Sequence, residues 1–205
     1  MNLSPFDLPF QNADTDSRIL VALERLSEVF RVLLWETTKK NGLSPIQNQF
    51  LVFLDNHPVK MRKVSQLAEE FNMTKATVSD AVKALEKKGL IEKQPDPGDS
   101  RSYFIEVTAA GHQTARESAH FGTVLLESIA SLPEGEKAAL LLTLMRLIDD
   151  MQKTGIIAVQ RMCFSCRYYD PEQKNHPHYC QLLNRPMATT DLRLDCPEHE
   201  SKTIS

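Results

Sequence analysis

All four cysteines of this 205-residue chain, Cys163, Cys166, Cys180 and Cys196, fall within its last 43 residues. Their pattern is Cys-x2-Cys-x13-Cys-x15-Cys-Pro. Two thiolates three positions apart can grip one metal from a single turn, and two later ones can close the site. Thiolates are soft donors, so a set of four suits Zn²⁺ or an iron–sulfur cluster. The N-terminal stretch MNLSPFDLPFQNADTDSR has no basic segment followed by an apolar one, so secretion is not expected and the chain reads as cytoplasmic. A reducing compartment weighs against disulfides and toward metal ligation. His178 and His199 can each replace one thiolate, but four cysteines suffice, and surface histidines are the simpler reading. A module this short buries little core, so a metal would supply most of its folding energy.

A second set of residues suits phosphates and base edges. Residues 74–88 read as one helix whose Val78, Ala81, Val82 and Leu85 fall on a single stripe that must pack inward. At 100° per residue the opposite stripe is Ala76, Asp80, Lys83 and Lys87, flanked by Lys75, Thr77 and Ser79. Short residues let a backbone approach a groove, hydroxyls and a methyl meet base edges, and lysines reach phosphates. The free N–H groups of the helix start suit a phosphate. From Lys60 to Lys93 there are eight basic and five acidic residues, a local excess of positive charge in a chain of net charge −3. A solvated helical face is the alternative for each of these features.

The elements that must position these residues follow from periodicity and caps. Residues 1–15 read as a loose, flexible arm. Ile19, Leu23, Leu26, Phe30 and Leu33 recur at 4-3-4-3 steps, predicting a helix over 16–40 with a coiled-coil-like seam, capped by Asp16 or Ser17 and stopped by Gly42. Ser44-Pro45 opens a second helix that ends at His57-Pro58. Residues 63–71 form a short third helix, Asn72-Met73 a turn, and Gly89 stops the fourth helix. LIEKQ-PDPGDS-RSYFIEV reads as strand, turn, strand. Thr108 caps a long fifth helix to about 131, and Pro133-Glu134 starts a sixth. The expected class is therefore mainly α with a small β-hairpin wing: a winged helix-turn-helix with long dimerisation helices over 16–161, then a four-cysteine module over 162–205.

Residues 67–111, LAEEFNMTKATVSDAVKALEKKGLIEKQPDPGDSRSYFIEVTAAG, resemble the MarR family of bacterial transcriptional regulators. A looser similarity runs from about 18 to 153. The resemblance implies that Thr74, Lys75, Ala76, Thr77, Ser79 and Lys83 belong to a recognition helix. It implies that Asp99 shapes the wing tip and that Arg101 reaches the minor groove or its phosphates, which attract arginine where the groove is narrow. Two positions depart from the family pattern: Ser100 stands where a second arginine is common, and Asp80 where a base-reading arginine is frequent. The family is dimeric through its terminal helices. The seam of the first helix, with Leu140, Leu141, Leu144, Leu147, Ile148 and Met151 of the sixth, independently calls for a partner surface. A homodimer on double-stranded DNA predicts a pseudo-palindromic operator. The family often takes a small aromatic effector, for which Trp35, Phe30, Phe50 and Phe121 are candidate lining, with ordinary core as the alternative.

The tail pattern Cys-x-x-Cys-x-Tyr-Tyr … Tyr-Cys-x-Leu … Asp-Cys-Pro resembles the cluster-binding fold of high-potential iron–sulfur proteins and the related small subunits of radical enzymes. That resemblance implies a [4Fe–4S] cluster, with one Zn²⁺ per chain as the alternative, although Tyr179 stands where a glycine usually precedes the third cysteine. No dinucleotide, Walker or hydrolase-elbow motif is present, so an enzyme is not expected. The longest apolar run, 138–148, is short and broken by Arg146, so no membrane partner is expected. A redox component and a protein-interaction adaptor remain as alternatives to a regulator.

Overall fold

The computed structural model describes residues 4–173 and 176–202; the side chains of Ser100 and Arg101 lie outside that description. Eight α-helices and five strands follow in order among the described residues: α1 (Leu8–Ala13), α2 (Thr15–Asn41), α3 (Pro45–Asn56), α4 (Val64–Glu70), α5 (Lys75–Lys87), β1 (Ile91–Asp96), β2 (Asp99–Val107), α6 (Ala109–Ala119), α7 (Thr123–Ala130), α8 (Glu134–Lys153), β3 (Tyr169–Asp170), β4 (Tyr179–Cys180) and β5 (Arg185–Pro186). The chain is mainly helical with one small antiparallel wing, as its patterning predicts. No described helix is long and apolar enough to cross a membrane.

Several boundaries differ from the sequence expectation for local reasons. The stretch read as a loose arm holds α1, because the Asp7 carboxylate accepts from the Phe10 N–H and Pro9 suits a first turn. Asp14, rather than Asp16 or Ser17, caps α2, accepting from both the backbone N–H and the hydroxyl of Ser17. The expected long fifth helix is broken by a 3-10 turn over His120–Gly122.

The chain falls into two compact units: residues 1–67 with 75–124, and residues 68–74 with 125–205. This partition places α8 with the cysteine-rich tail rather than with the winged helix. Met145 of α8 is fully buried in a cluster with Met162, Cys163, Met187 and Leu192, and Leu141, Leu142 and Ile148 pack against it. A tail whose strands are two residues each needs that helix for a wall.

In the first unit, α3 is closed by a capping box between Ser44 and Gln47. Its Phe50, Leu51 and Leu54 are fully buried, as are Val78, Val82 and Leu85 of α5 and Ile105 of β2. Asn48 is also buried, and Asn41 and Ser118 both bond its side chain, tying α2, α3 and α6 together. β1 and β2 pair from Ile91↔Val107 to Asp96↔Asp99. Gly111 sits where a Cβ would come within 2.0 Å of the Leu90 carbonyl oxygen, so only glycine lets α6 pass this close to the start of the wing. Thr108 caps α6 by accepting from the Gly111 N–H and donates its own hydroxyl to the Gly89 carbonyl.

Candidate functional site

The fourth sequence helix is α5. With Val78, Val82 and Leu85 turned inward, Lys75, Ala76, Thr77, Asp80, Lys83 and Lys87 are exposed, and Ser79 is half-buried. Thr74, just before the helix, is exposed as well. The expected face is thus presented to solvent, and its chemistry is short side chains and hydroxyls first, lysines later. Lys83 is not unopposed: its Nζ lies 3.1 Å from Asp80 Oδ1, one turn earlier on the same face. Both groups are well exposed, so the pair is weak and its net effect is to dilute the positive field of the helix.

The wing tip is built by Asp96. Its carboxylate accepts from the Gly98 N–H at 2.9 Å and pairs with the ammonium of Lys63. The Lys63 hydrogen bond, then the Gly98 N–H, hold the Asp96 carboxyl below the usual carboxylate range. Asp99, to which the family resemblance assigns a role at the tip, is exposed and faces Asp96 in the ladder. Asp96 went unremarked because nothing in the sequence brings Lys63 beside it. Arg101 is on β2, and its side chain lies outside the described residues.

The four candidate effector-lining aromatics sit in different settings. Phe50 is fully buried core, Phe30 meets Phe121 edge-on at 6.2 Å, and Trp35 is exposed.

In the second unit the four cysteines line a single cavity, together with Tyr168, Tyr169, Leu182, Leu183, Met187, Arg193 and Glu198. Cys163 starts a 3-10 turn that brings the Cys166 N–H to the Cys163 carbonyl at 3.0 Å. Cys180 stands on β4 opposite Tyr169 of β3. Cys196 is held by its N–H to the Arg161 carbonyl at 3.0 Å. No three His, Cys, Asp or Glu side chains among the described residues converge closely enough to hold one metal ion. Burial, then the Arg193 N–H working the other way and the three neighbouring cysteines adding to it, leaves the Cys163 thiol pushed up.

Arg193, a residue the spacing did not single out, offers two donors to these thiols. Its backbone N–H points to Cys163 Sγ at 3.3 Å and its guanidinium to Cys196 Sγ at 3.5 Å. The histidines have other partners. His178 is buried, not on the surface as expected, with Nδ1 at 2.6 Å from the Tyr169 hydroxyl and Nε2 at 3.4 Å from that of Thr189. Burial lowers its pKa and raises that of Tyr169 to about 12. His199 Nε2 lies 3.0 Å from the Ser165 hydroxyl.

The helix pair followed by an antiparallel hairpin defines a winged helix-turn-helix protein. Residues 41–102 match the model of the MarR family. The chain is similar to the transcriptional repressor NicR of Pseudomonas putida, 29% identical over 114 residues that cover 55% of this chain and 71% of NicR. It is likewise 29% identical to the transcriptional regulator AdcR of Streptococcus pneumoniae over 86 residues, 42% of this chain and 57% of AdcR. Among solved structures, the fold matches Staphylococcus aureus MepR in its DNA-binding conformation with a TM-score of 0.59 at 20% identity, over 65% of this chain and 98% of MepR. A MarR transcriptional regulator from Methanosarcina mazei matches with a TM-score of 0.57 at 19% identity, over 66% of this chain and 97% of that one. The names of these relatives are those of transcriptional regulators.

Proposed function

We propose that the protein is a dimeric, sequence-specific DNA-binding transcriptional regulator that acts as a repressor. The exposed face of α5, from Thr74 to Lys83, enters the major groove, and the wing carrying Asp99 and Arg101 meets the minor groove or its backbone. The observation that carries this reading is the orientation of α5: Val78, Val82 and Leu85 are wholly buried, which leaves the hydroxylic and basic face outward. The repressor sense follows NicR, and DNA as partner follows MepR, which has been solved as a DNA complex. A homodimer is supported by the seam of α2, where Ile19, Leu26 and Phe30 stay exposed in the single chain. A gel shift on the promoter of the protein's own gene tests the reading. Lys83→Ala combined with Arg101→Ala should abolish the shift, and each lost phosphate contact should flatten its salt dependence. An intact shift in the double variant would favour non-specific binding or a protein-interaction adaptor.

For the tail, we infer that Cys163, Cys166, Cys180 and Cys196 hold a [4Fe–4S] cluster, with one Zn²⁺ per chain as the alternative. A single zinc draws four sulfurs to about 2.3 Å from one point, whereas a cluster is held by thiolates spread around a larger body. That all four cysteines line one apolar cavity supports the reading of a shared group held there. The N–H donors of Arg193 would stabilise thiolate charge there. Protein purified without oxygen decides the matter: brown with about four iron atoms per chain, or colourless with about one zinc.

A further inference from the structure

We propose that Arg161 couples the occupancy of the cysteine cavity to the turn of the helix-turn-helix, so that metal loading and DNA binding strengthen one another. The proposal rests on the two readings above.

Residues 68–74, the end of α4 and the turn before α5, belong to the same compact unit as the cysteine module. Two side-chain bonds join them to the segment that leads into Cys163. Arg161 donates through one guanidinium nitrogen to Glu70 at 2.7 Å, and through Nε and another nitrogen to both oxygens of Asp195, at 2.7 and 3.2 Å. Asn72 donates through Nδ2 to the Ile156 carbonyl at 3.1 Å.

The chemistry at each end makes this link matter. Glu70 is the last residue of α4, where the helix dipole already carries negative charge, so a carboxylate there needs a cation beside it. The Arg161 side chain is only 15% exposed and that of Glu70 22%, so bulk water compensates little when the pair is broken. At the other end, Asp195 directly precedes Cys196, and the Cys196 N–H binds the Arg161 carbonyl. One residue therefore grips Cys196 through its main chain, the neighbouring carboxylate through a two-pronged fork, and the turn-side end of α4 through a third bond. Whatever fixes Cys196 also fixes the guanidinium that Glu70 requires. Asn72 adopts φ +50, a conformation that asparagine tolerates, and its tether to Ile156 holds the chain immediately before Thr74 and α5.

Linkage requires the effect to be reciprocal. The test uses the full chain, purified without oxygen with its metal in place, and a duplex of its own promoter. Metal release to a colorimetric chelator is followed with and without the duplex. In the wild type the duplex should slow release by about fivefold or more, and metal removal should weaken duplex binding in the same sense. Glu70→Gln and, separately, Asn72→Gly should keep full metal content while the duplex loses most of its influence on release. Both variants releasing metal with the wild-type dependence on DNA would overturn the proposal, and so would a wild type that binds metal and duplex with no mutual effect. A wild type carrying no metal, or binding no duplex, would overturn the underlying readings and the coupling with them; metal content and the gel shift tell these cases apart.

Discussion

The two compact units of this chain are stabilised by different means. The winged-helix unit closes on fully buried aliphatic and aromatic side chains drawn from α3, α5 and β2, with the Asn41–Asn48–Ser118 cluster satisfying its buried polar atoms. The other unit has a thinner interior. Two methionines and a leucine of the tail lean on Met145 of α8, beside a cavity walled by four thiols. Hydrophobic burial suffices where long elements present whole apolar faces, whereas strands of two residues cannot do so. On the proposed ligation a bound metal would supply the remaining stability, so one unit should tolerate metal removal and the other should not.

Substitutions can break that contrast. Replacing Cys166 and Cys180 together with serine should abolish metal binding. Amide protection should then collapse across residues 162–202 while α3, α5 and the wing remain protected, as read by hydrogen exchange. Uniform loss across both units would remove the distinction between them. In the winged-helix unit the sensitive point is backbone contact. Gly111→Ala forces a Cβ onto the Leu90 carbonyl and should cost about 2–3 kcal/mol, seen as a lower urea midpoint. An unchanged midpoint would mean that α6 shifts freely against the wing.

Smaller effects sharpen the picture of the proposed DNA face. Lys83→Ala should weaken promoter binding and lower the salt slope by about 1. Asp80→Asn should do the reverse, tightening binding by a few-fold, because it removes the carboxylate that opposes Lys83. Equal affinities for wild type and Asp80→Asn would show that α5 does not approach phosphate at that turn. The smallest expected change concerns the wing tip. The Asp96 carboxyl is held below its usual pKa, so its contribution is present above the ordinary value of 3.8 and is lost as pH falls through the lower folded-state value. The Gly98 amide resonance should therefore titrate with a midpoint below 3.8, and Asp96→Asn should erase that titration.

The helices and the wing were legible because their signals are local. Ser44-Pro45, Thr108 and Gly89 act through caps and dihedral freedom within a few residues, and the apolar stripe of α5 fixes which face turns outward. The break at His120–Gly122 and the short α1 were not legible. The first interrupts a pattern that still reads as helical, and the second rests on one Asp7 cap against a polar background. At the thiol site, spacing named the four cysteines but was silent on Arg193, whose two donors reach sulfurs 30 residues and three residues away. Likewise Lys63 finds Asp96 across 33 positions, and Arg161 finds Glu70 across 91.

By itself the sequence determined the order and type of the main elements, the face that α5 shows to solvent and the identity of the four thiols. Those depend on period, cap and residue chemistry, all of which are written along the chain. Tertiary structure alone decided that α8 walls the cysteine-rich unit, that the four thiols line one cavity, and that Arg161 stands between Glu70 and Asp195. Such facts depend on which distant segments meet, and a charge or a donor carries no mark of its partner until folding brings the two within a few ångströms.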